Sequence, residues 1–227
     1  MRLYTFYSDS HVSLYTRFLS SITQSNPNVE IVVDKIAQDC ATGEYMKTGW
    51  GDAMKNKVSQ IIRAIDEGEV FVHSDCDIVY LKDIKAPLLE ELGDHDIAFQ
   101  NDGGTGGTWY CMGLFVCRPT ESVRRLFTHV LENIDNFEGN DQLALNNAIS
   151  DYKNREPGKN WKDVKYKLLS NKFYTYGLTR PADNMPWDGH QFHVSSDIIT
   201  FHANWTKGIN NKHKLLDYVS SKVGIAL

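Results

Sequence analysis

The feature that most constrains the fold is the alternation of two patterns along the first half of the chain. Short apolar runs of strand length alternate with segments whose apolar residues recur at helical spacing. This alternation predicts an α/β domain in which helices connect the strands of a mostly parallel sheet. The predicted strands are Arg2–Tyr7, Val29–Val33, Val70–Ser74, Ile97–Gln100 and Leu114–Cys117, and the predicted helices are His11–Ile22 and Asp52–Asp66.

The second half of the chain continues the pattern less regularly. Thr120 and Asn140 can each cap a helix, the second of which runs to about Ile149. The polar residues 151–163 predict an exposed loop. Because no repeat or low-complexity linker is present, we expect one domain over residues 1–227. Further predicted elements are strands at Val164–Leu168, Phe173–Tyr176 and Ile198–His202 and a helix at Ile209–Val223.

The sequence Asp75-Cys76-Asp77 lies between two apolar runs. In an extended chain both carboxylates point to the same side, and burying them is costly unless a positive charge lies between them. Divalent cations prefer oxygen ligands, and ligands bind beyond the carboxyl ends of strands in such sheets. The segment therefore predicts a metal-dependent enzyme whose cation would bind a polyanion such as a diphosphate. The alternative is a pair of solvated turn aspartates, and we interpret the neighbouring His73 as a core residue.

A second group of polar residues follows the last predicted strand. His202 ends that strand, and Lys207, Gly208 and Lys212 come next. Two carboxylates plus an imidazole favour Mn²⁺, with Mg²⁺ as the alternative. The lysines and the free amides near Gly208 could bind phosphate oxygens. The competing interpretation is a structural histidine followed by a solvated lysine.

Three further residues have two interpretations each. Lys57 lies at the edge of an apolar helical face, where its ammonium could extend to solvent or reach the strand ends that carry the aspartates. Asn140 alone can cap its helix, which leaves Asp141 and Gln142 available for substrate contacts.

The charge balance limits the classes of partner. The formal net charge is −5, so no global basic field attracts nucleic acid. The sequence shows neither a leading apolar segment of signal-peptide type nor an apolar run long enough to span a bilayer. We therefore expect a cytosolic protein, or one domain of a longer protein.

Taken together, these segments resemble the nucleotide-diphospho-sugar transferases of the GT-A fold. The compact form is most similar to the small capsid-modifying glycosyltransferases of large algal DNA viruses. If the protein is viral, the resemblance implies that it acts in the host cytoplasm. The resemblance implies a nucleotide-binding half at about residues 1–100 and an acceptor-side half at about 101–227. It rests on the order of Thr5-Phe6-Tyr7, Lys57, Asp75-Cys76-Asp77, Gly113, Asp141-Gln142, His202 and Lys207-Gly208.

The resemblance implies a UDP-sugar donor, a glycan or glycoprotein acceptor and a role for each matched residue. Asp75, Asp77 and His202 would hold Mn²⁺. Asp141 and Gln142 would be catalytic residues that face the donor sugar near its anomeric carbon. The implied donor-binding residues are Thr5, Phe6, Tyr7, Lys57, Ser74, Asp75, Lys207, Gly208 and Lys212.

The chain departs from the family pattern at two places. Tyr110-Cys111-Met112 stands where relatives often have Asn or Ser, and the spacing after His202 differs from the commonest arrangement. The resemblance implies retention of the anomeric configuration. Inversion needs a carboxylate base near the acceptor hydroxyl. Four aspartates could serve as that base: Asp102, Asp183, Asp188 and Asp197.

Two other functions compete with a transferase. Asp75-Cys76-Asp77-Ile78-Val79 is similar to the nucleophile motif of haloacid-dehalogenase-type phosphotransferases, but that motif normally lies near the amino terminus and no later Gly-Asp-x-x-x-Asp follows. A non-catalytic nucleotide-sugar binding module is the second alternative.

Overall fold

The computed structural model describes residues 1–37, 44–103, 110–151, 156–157, 161–180 and 187–225. The strands are β1 (Arg2–Tyr7), β2 (Glu30–Lys35), β3 (Phe71–Ser74), β4 (Ile78–Tyr80), β5 (Ile97–Asn101), β6 (Tyr110–Cys117), β7 (Ser150–Asp151), β8 (Glu156–Pro157), β9 (Tyr166–Leu168), β10 (Phe173–Thr175) and β11 (Thr200–His202). The helices are α1 (Val12–Ser25), α2 (Trp50–Asp66), α3 (Lys85–Leu92), α4 (Glu121–Asn133), α5 (Asp141–Ile149) and α6 (Ile209–Val223).

A central sheet has the strand order β2-β1-β3-β6-β5-β9. The strand pairs β1–β2, β1–β3 and β5–β9 are parallel, whereas β6 runs antiparallel to both of its neighbours. Five of the six strands thus point the same way, and the predicted mostly parallel α/β sheet is confirmed. Because β1 and β3 are adjacent and parallel, their carboxyl ends lie side by side at one edge of the sheet.

A smaller sheet has the order β10-β11-β4. Strand β11 is parallel to β10 and antiparallel to β4, with His202 opposite Ile78. Since β3 belongs to the large sheet and β4 to the small one, residues 75–77 connect the two sheets.

Two apolar cores lie on opposite faces of the central sheet. Alternate strand residues face opposite ways, so Leu3 and Val72 join one core while Tyr4 and Phe71 join the other. The first core packs against α1, α3 and α6, and the second against α2, α4 and α5. Fully burying each large apolar side chain contributes about 1.5–3 kcal/mol. Helices on both faces therefore hold the strand ends in fixed positions.

Most of the predicted elements are present, with boundaries shifted by a few residues. The Thr120 and Asn140 caps are confirmed, because their side-chain oxygens accept hydrogen bonds from the amides of Val123 and Leu143. Strand β4 and helix α3 were not predicted. The predicted loop at 151–163 includes part of a short antiparallel pair, β7 with β8.

Among the described residues, no helix is both long and apolar enough to cross a membrane.

Candidate active site

The Asp75-Cys76-Asp77 segment is a turn that is bonded to both sheets. The Asp75 amide donates to the Gly113 carbonyl on β6 at 2.6 Å, and the Ala203 amide after β11 donates to the Asp77 carbonyl at 3.1 Å. The prediction that both carboxylates point to one side assumed an extended chain. The two carboxylates do converge, but the reason is different: the chain turns at Cys76 and Asp77.

Asp75, Asp77 and His202 form a group that fits a divalent metal. One donor atom from each residue lies within 4.8 Å of the others, and His202 Nε2 is 3.1 Å from Asp77 Oδ1. Two carboxylates and an imidazole are a donor set of the kind that binds divalent first-row metals. The Asp75 side chain is 27% exposed, against 11% for Asp77 and 5% for His202. A ligand would therefore approach from the Asp75 side.

Two lysines, the buried Lys57 and the partly buried Lys212, face the carboxylates of this group. Lys57 Nζ is 3.0 Å from Asp75 Oδ1 and 3.1 Å from Asp141 Oδ2. Lys212, on α6, forms an ion pair and hydrogen bond with Asp77 Oδ2. Of the two interpretations of Lys57, the correct one is that its ammonium group reaches the strand ends that carry the aspartates.

These ion pairs keep both carboxyl groups ionised. Burial by itself raises the pKa of Asp75, but the Lys57 charge outweighs it and the pKa falls to about 2. Burial likewise opposes ionisation of Asp77, while Lys212 and His202 hold its pKa well below the usual value. Burial lowers the pKa of Lys57, yet Asp141 and Asp75 raise it above its ordinary value. The site is thus a network of full charges at neutral pH.

Because Gly113 has no side chain, there is room beside it for the His202 ring. A Cβ atom at Gly113 would lie 2.3 Å from His202 Cε1 and 3.0 Å from Asp75 Oδ2. Both distances are shorter than ordinary van der Waals contact, so β6 needs glycine at this position for the imidazole to sit beside the carboxylates.

The residues predicted to line the uridine pocket, Thr5, Phe6 and Tyr7, form the end of β1. Thr5 is fully buried, and its carbonyl accepts a hydrogen bond from Gln60 Nε2 at 2.8 Å. The Lys57 ammonium is 6.0 Å from the centre of the half-buried Phe6 ring. Tyr7 stacks on Tyr15 with ring centroids 4.2 Å apart.

Three other predicted donor residues occupy different environments. Ser74 is buried at the end of β3, where its hydroxyl donates to the Asp75 carbonyl at 3.0 Å. Lys207 is exposed in the turn between β11 and α6. Gly208 has a φ of 81°, which favours glycine, and its carbonyl accepts the Lys212 amide at 3.1 Å.

Asp141 and Gln142 open helix α5 beside β6. Asn140 caps this helix, so the buried Asp141 carboxylate is left to pair with Lys57. Gln142 Oε1 accepts a hydrogen bond from the Met112 amide at 3.1 Å. The structure therefore brings Asp141 to the Asp75 side of the group and fastens Gln142 to the strand that carries Gly113.

Gln100 and His11 were not singled out from the sequence, and Asn204 was recognised only as part of the His-x-Asn-Trp pattern that begins at His202. Gln100 lies 3.0 Å from His202 Nδ1, and Asn204 Nδ2 donates to Asp102 Oδ1 at 3.0 Å. The pKa of His11 is lowered by burial and by the nearby Lys212 charge. A polar glutamine inside the apolar run at 97–100 is the sequence signal that could have identified Gln100.

The four aspartates considered for inversion lie in different environments. Asp102 is buried, which raises its pKa, and its two carboxylate oxygens accept hydrogen bonds from Asn204 and Trp205. Asp188 and Asp197 are exposed. Asp183 lies outside the described residues.

Comparisons of structure find glycosyltransferases. A glycosyltransferase involved in the glycosylation of the major capsid of PBCV-1 aligns with a TM-score of 0.61 and 9% identity, over 95% of this chain and 98% of that one. The galactosyltransferase LgtC aligns with a TM-score of 0.53 and 13% identity, over 97% and 96% of the two chains. GlyE of Streptococcus pneumoniae TIGR4 aligns with a TM-score of 0.55 and 12% identity over 98% of this chain, which spans only 62% of GlyE.

At the level of sequence, no curated protein matches the chain. At these identities the structural likeness shows a shared fold. Residues 15–216, however, match the nucleotide-diphospho-sugar transferase family. This match rules against the phosphotransferase alternative. The chain therefore belongs to the nucleotide-diphospho-sugar transferase family.

Proposed function

We propose that the protein is a Mn²⁺-dependent glycosyltransferase that moves a hexosyl or deoxyhexosyl group from a UDP-sugar to a glycan or glycoprotein. The observation that carries this proposal is the convergence of Asp75, Asp77 and His202 at the junction of the two sheets. A divalent cation bound there would neutralise the diphosphate and stabilise the leaving UDP as a Lewis acid.

The residues around this group support distinct roles in binding the donor. Lys212 and the exposed Lys207 lie on the α6 side of the carboxylates, where their charges would attract phosphate oxygens. Thr5, Phe6 and Tyr7 lie at the end of β1, so we assign the uridine to that end. We assign Ser74 and Gly208 to the donor pocket as well, because they adjoin Asp75 and the α6 lysines.

Lys57 and Asp141 support an assignment for the donor sugar. Their ion pair joins the Asp75 side of the group to the start of α5. We place the sugar over this pair, with Asp141 and Gln142 near its anomeric carbon. Both Asp102 oxygens accept hydrogen bonds from Asn204 and Trp205, which hinders their approach to an acceptor hydroxyl, so we propose retention rather than inversion.

The acceptor assignment rests on analogy. One structural neighbour takes part in the glycosylation of a viral capsid protein, and we propose an acceptor of the same chemical class. A cytoplasmic location, in the host cell if the protein is viral, belongs to this proposal.

The experiment is a screen of UDP-sugars for Mn²⁺-dependent release of UDP, with and without glycan acceptors, using the wild type and Asp77→Asn. The substitution removes a charged ligand but keeps its size, so we expect the fold to persist and UDP release to be lost. Asp163→Asn makes the same chemical change at an exposed ion pair with Arg125 and should behave as the wild type. Full activity of Asp77→Asn would contradict the metal assignment. UDP binding without turnover of any sugar would favour a binding module.

A further inference from the structure

Gln100 is a buried amide at an irregular point of the central sheet. The pairing of β5 with β6 shifts between Phe99, which is opposite Phe115, and Gln100, which is opposite Cys111. Such irregularities redirect side chains and are common next to active sites. The Gln100 side chain is fully buried, and a buried amide costs free energy unless its donors and its acceptor are bonded.

The contacts of Gln100 fix the orientation of its amide. Nε2 lies 3.2 Å from the carbonyl oxygen of Phe173 and 3.2 Å from that of Tyr174, both on β10. Both oxygens are acceptors only, so the amino group must face them. A flipped amide would place three oxygens together. The side-chain carbonyl Oε1 therefore points the other way, toward His202.

This orientation determines which nitrogen of His202 carries a proton. Gln100 Oε1 is 3.0 Å from His202 Nδ1, and an amide oxygen can only accept a hydrogen bond. Nδ1 must therefore be the donor, and in the neutral imidazole Nε2 then carries a lone pair. Cys111 Sγ, 3.8 Å from Nδ1, is a weak acceptor and is compatible with this arrangement.

The lone pair of Nε2 is directed into the group of candidate metal ligands. Nε2 is 3.1 Å from Asp77 Oδ1, and two acceptors at this distance repel each other unless a cation or a proton lies between them. The His202 ring can occupy this position because Gly113 has no Cβ, which would overlap Cε1. The neutral ring is thus held in the one tautomer that can ligate a metal through Nε2.

We propose that Gln100 is a positioning residue that sets the tautomer and the ring orientation of His202 for metal binding. The inference rests on the metal site of the proposed function and adds a residue outside the ligand set. Partners of this kind commonly change metal affinity about 10- to 100-fold when removed. The β5 strand thereby acts on the site without touching the metal or the donor.

The first test needs neither metal nor substrate. Two-bond ¹H–¹⁵N correlation spectra of the metal-free wild type, recorded at about pH 8, report which nitrogens of His202 carry a proton. We expect Nδ1 to be protonated, whether Nε2 carries a lone pair or shares a proton with Asp77. An unprotonated Nδ1 would overturn the proposal, whatever the activity of the enzyme.

The second test compares Gln100→Met with Gln60→Met by titration with Mn²⁺ alone, followed by electron paramagnetic resonance. Both variants replace a buried glutamine that donates to a backbone carbonyl, but Gln60 bonds to Thr5 and not to His202. We expect Mn²⁺ affinity to fall at least tenfold and the tautomers of His202 to mix in Gln100→Met only.

Equal affinity of Gln100→Met and the wild type for Mn²⁺ would overturn the positioning role. Failure of the wild type to bind Mn²⁺ would contradict the metal site of the proposed function and the metal-facing part of this proposal. The tautomer spectrum would distinguish that failure from a wrong assignment of the Gln100 contact. If Gln100→Met does not fold, the wild-type spectrum alone decides the tautomer.

Discussion

Lys57 is the residue on which the charge balance of the site depends most. Its ammonium is 3% exposed and lies within 3.1 Å of the carboxylates of both Asp75 and Asp141. Removing one partner from a buried ionic network leaves uncompensated charge in a medium that solvates it poorly. The lysine is therefore important for stability, besides its proposed role in binding the donor.

We predict that Lys57→Met lowers the free energy of unfolding by about 3–5 kcal/mol, as expected when a buried ion pair loses one member. Urea denaturation of the metal-free protein measures the change. Lys55→Met is the matched control, since Lys55 lies on the same helix in an exposed pair with Asp135 and should matter little. Equal stability of the two variants would contradict the ionic role of Lys57.

The sequence predicts the residues of the site better than the contacts between them. Asp75, Asp77 and His202 could be named because acidic residues and a histidine follow apolar strands, which places them at strand ends. The contacts that these residues make could not be predicted. Gln100 and His202 are 102 positions apart, and their contact depends on a register shift between β5 and β6 that no local pattern encodes.

Strand β6 illustrates how an element shapes the site through its backbone. Gly113 donates no side-chain chemistry, yet its carbonyl holds the Asp75 amide and its missing Cβ accommodates His202. The strand thus sets the spacing between the turn at 75–77 and the end of β11.

We predict that Gly113→Ala destabilises the protein by about 1–3 kcal/mol through overpacking. It should also weaken UDP binding in the presence of Mn²⁺ about tenfold, because the imidazole must move. Thermal unfolding and calorimetric titration measure the two effects. Gly51→Ala, in helix α2 where a Cβ would make only ordinary contact, should leave binding unchanged and slightly favour the helix. Wild-type UDP affinity in Gly113→Ala would refute this role of the strand.

The elements that the sequence did not predict are short. Strand β4 has three residues, too few for a period to be recognised, and its pairing with β11 joins positions more than 100 residues apart. Helix α3 has eight residues, of which only Leu88 and Leu92 are buried. The longer elements α2 and α4 were predictable because their apolar faces extend over several turns.

At the scale of the whole molecule, buried histidines link stability to pH. His73 is fully buried on β3, and its ring stacks on that of Phe115 at 5.3 Å. Its Nε2 lies 3.6 Å from Asp75 Oδ1, longer than a hydrogen bond. Burial, reinforced by the Lys57 charge, lowers its pKa. The sequence-based interpretation of His73 as a core residue agrees with this environment.

We predict that the free energy of unfolding decreases as the pH falls from about 7.5 to 5. The unfolded chain binds a proton near pH 6.5, where the folded protein does not, so lowering the pH favours unfolding. His73→Phe keeps an aromatic ring and should flatten part of this dependence. His11 and His213, whose pKa values burial also lowers, contribute in the same direction. Urea denaturation across this range is the measurement. An unchanged pH slope in His73→Phe would show that His73 is not a source of the effect.

The proposed function of the whole molecule depends on one binding event at the junction of its two sheets. Calorimetric titration of UDP into the wild type, with Mn²⁺ and then with EDTA, tests it most directly. Because Asp75 and Asp77 remain ionised at neutral pH, UDP should bind tightly only when a cation offsets their charge. Binding that is equally tight in EDTA, or no binding in either condition, would contradict the proposed metal-dependent donor site.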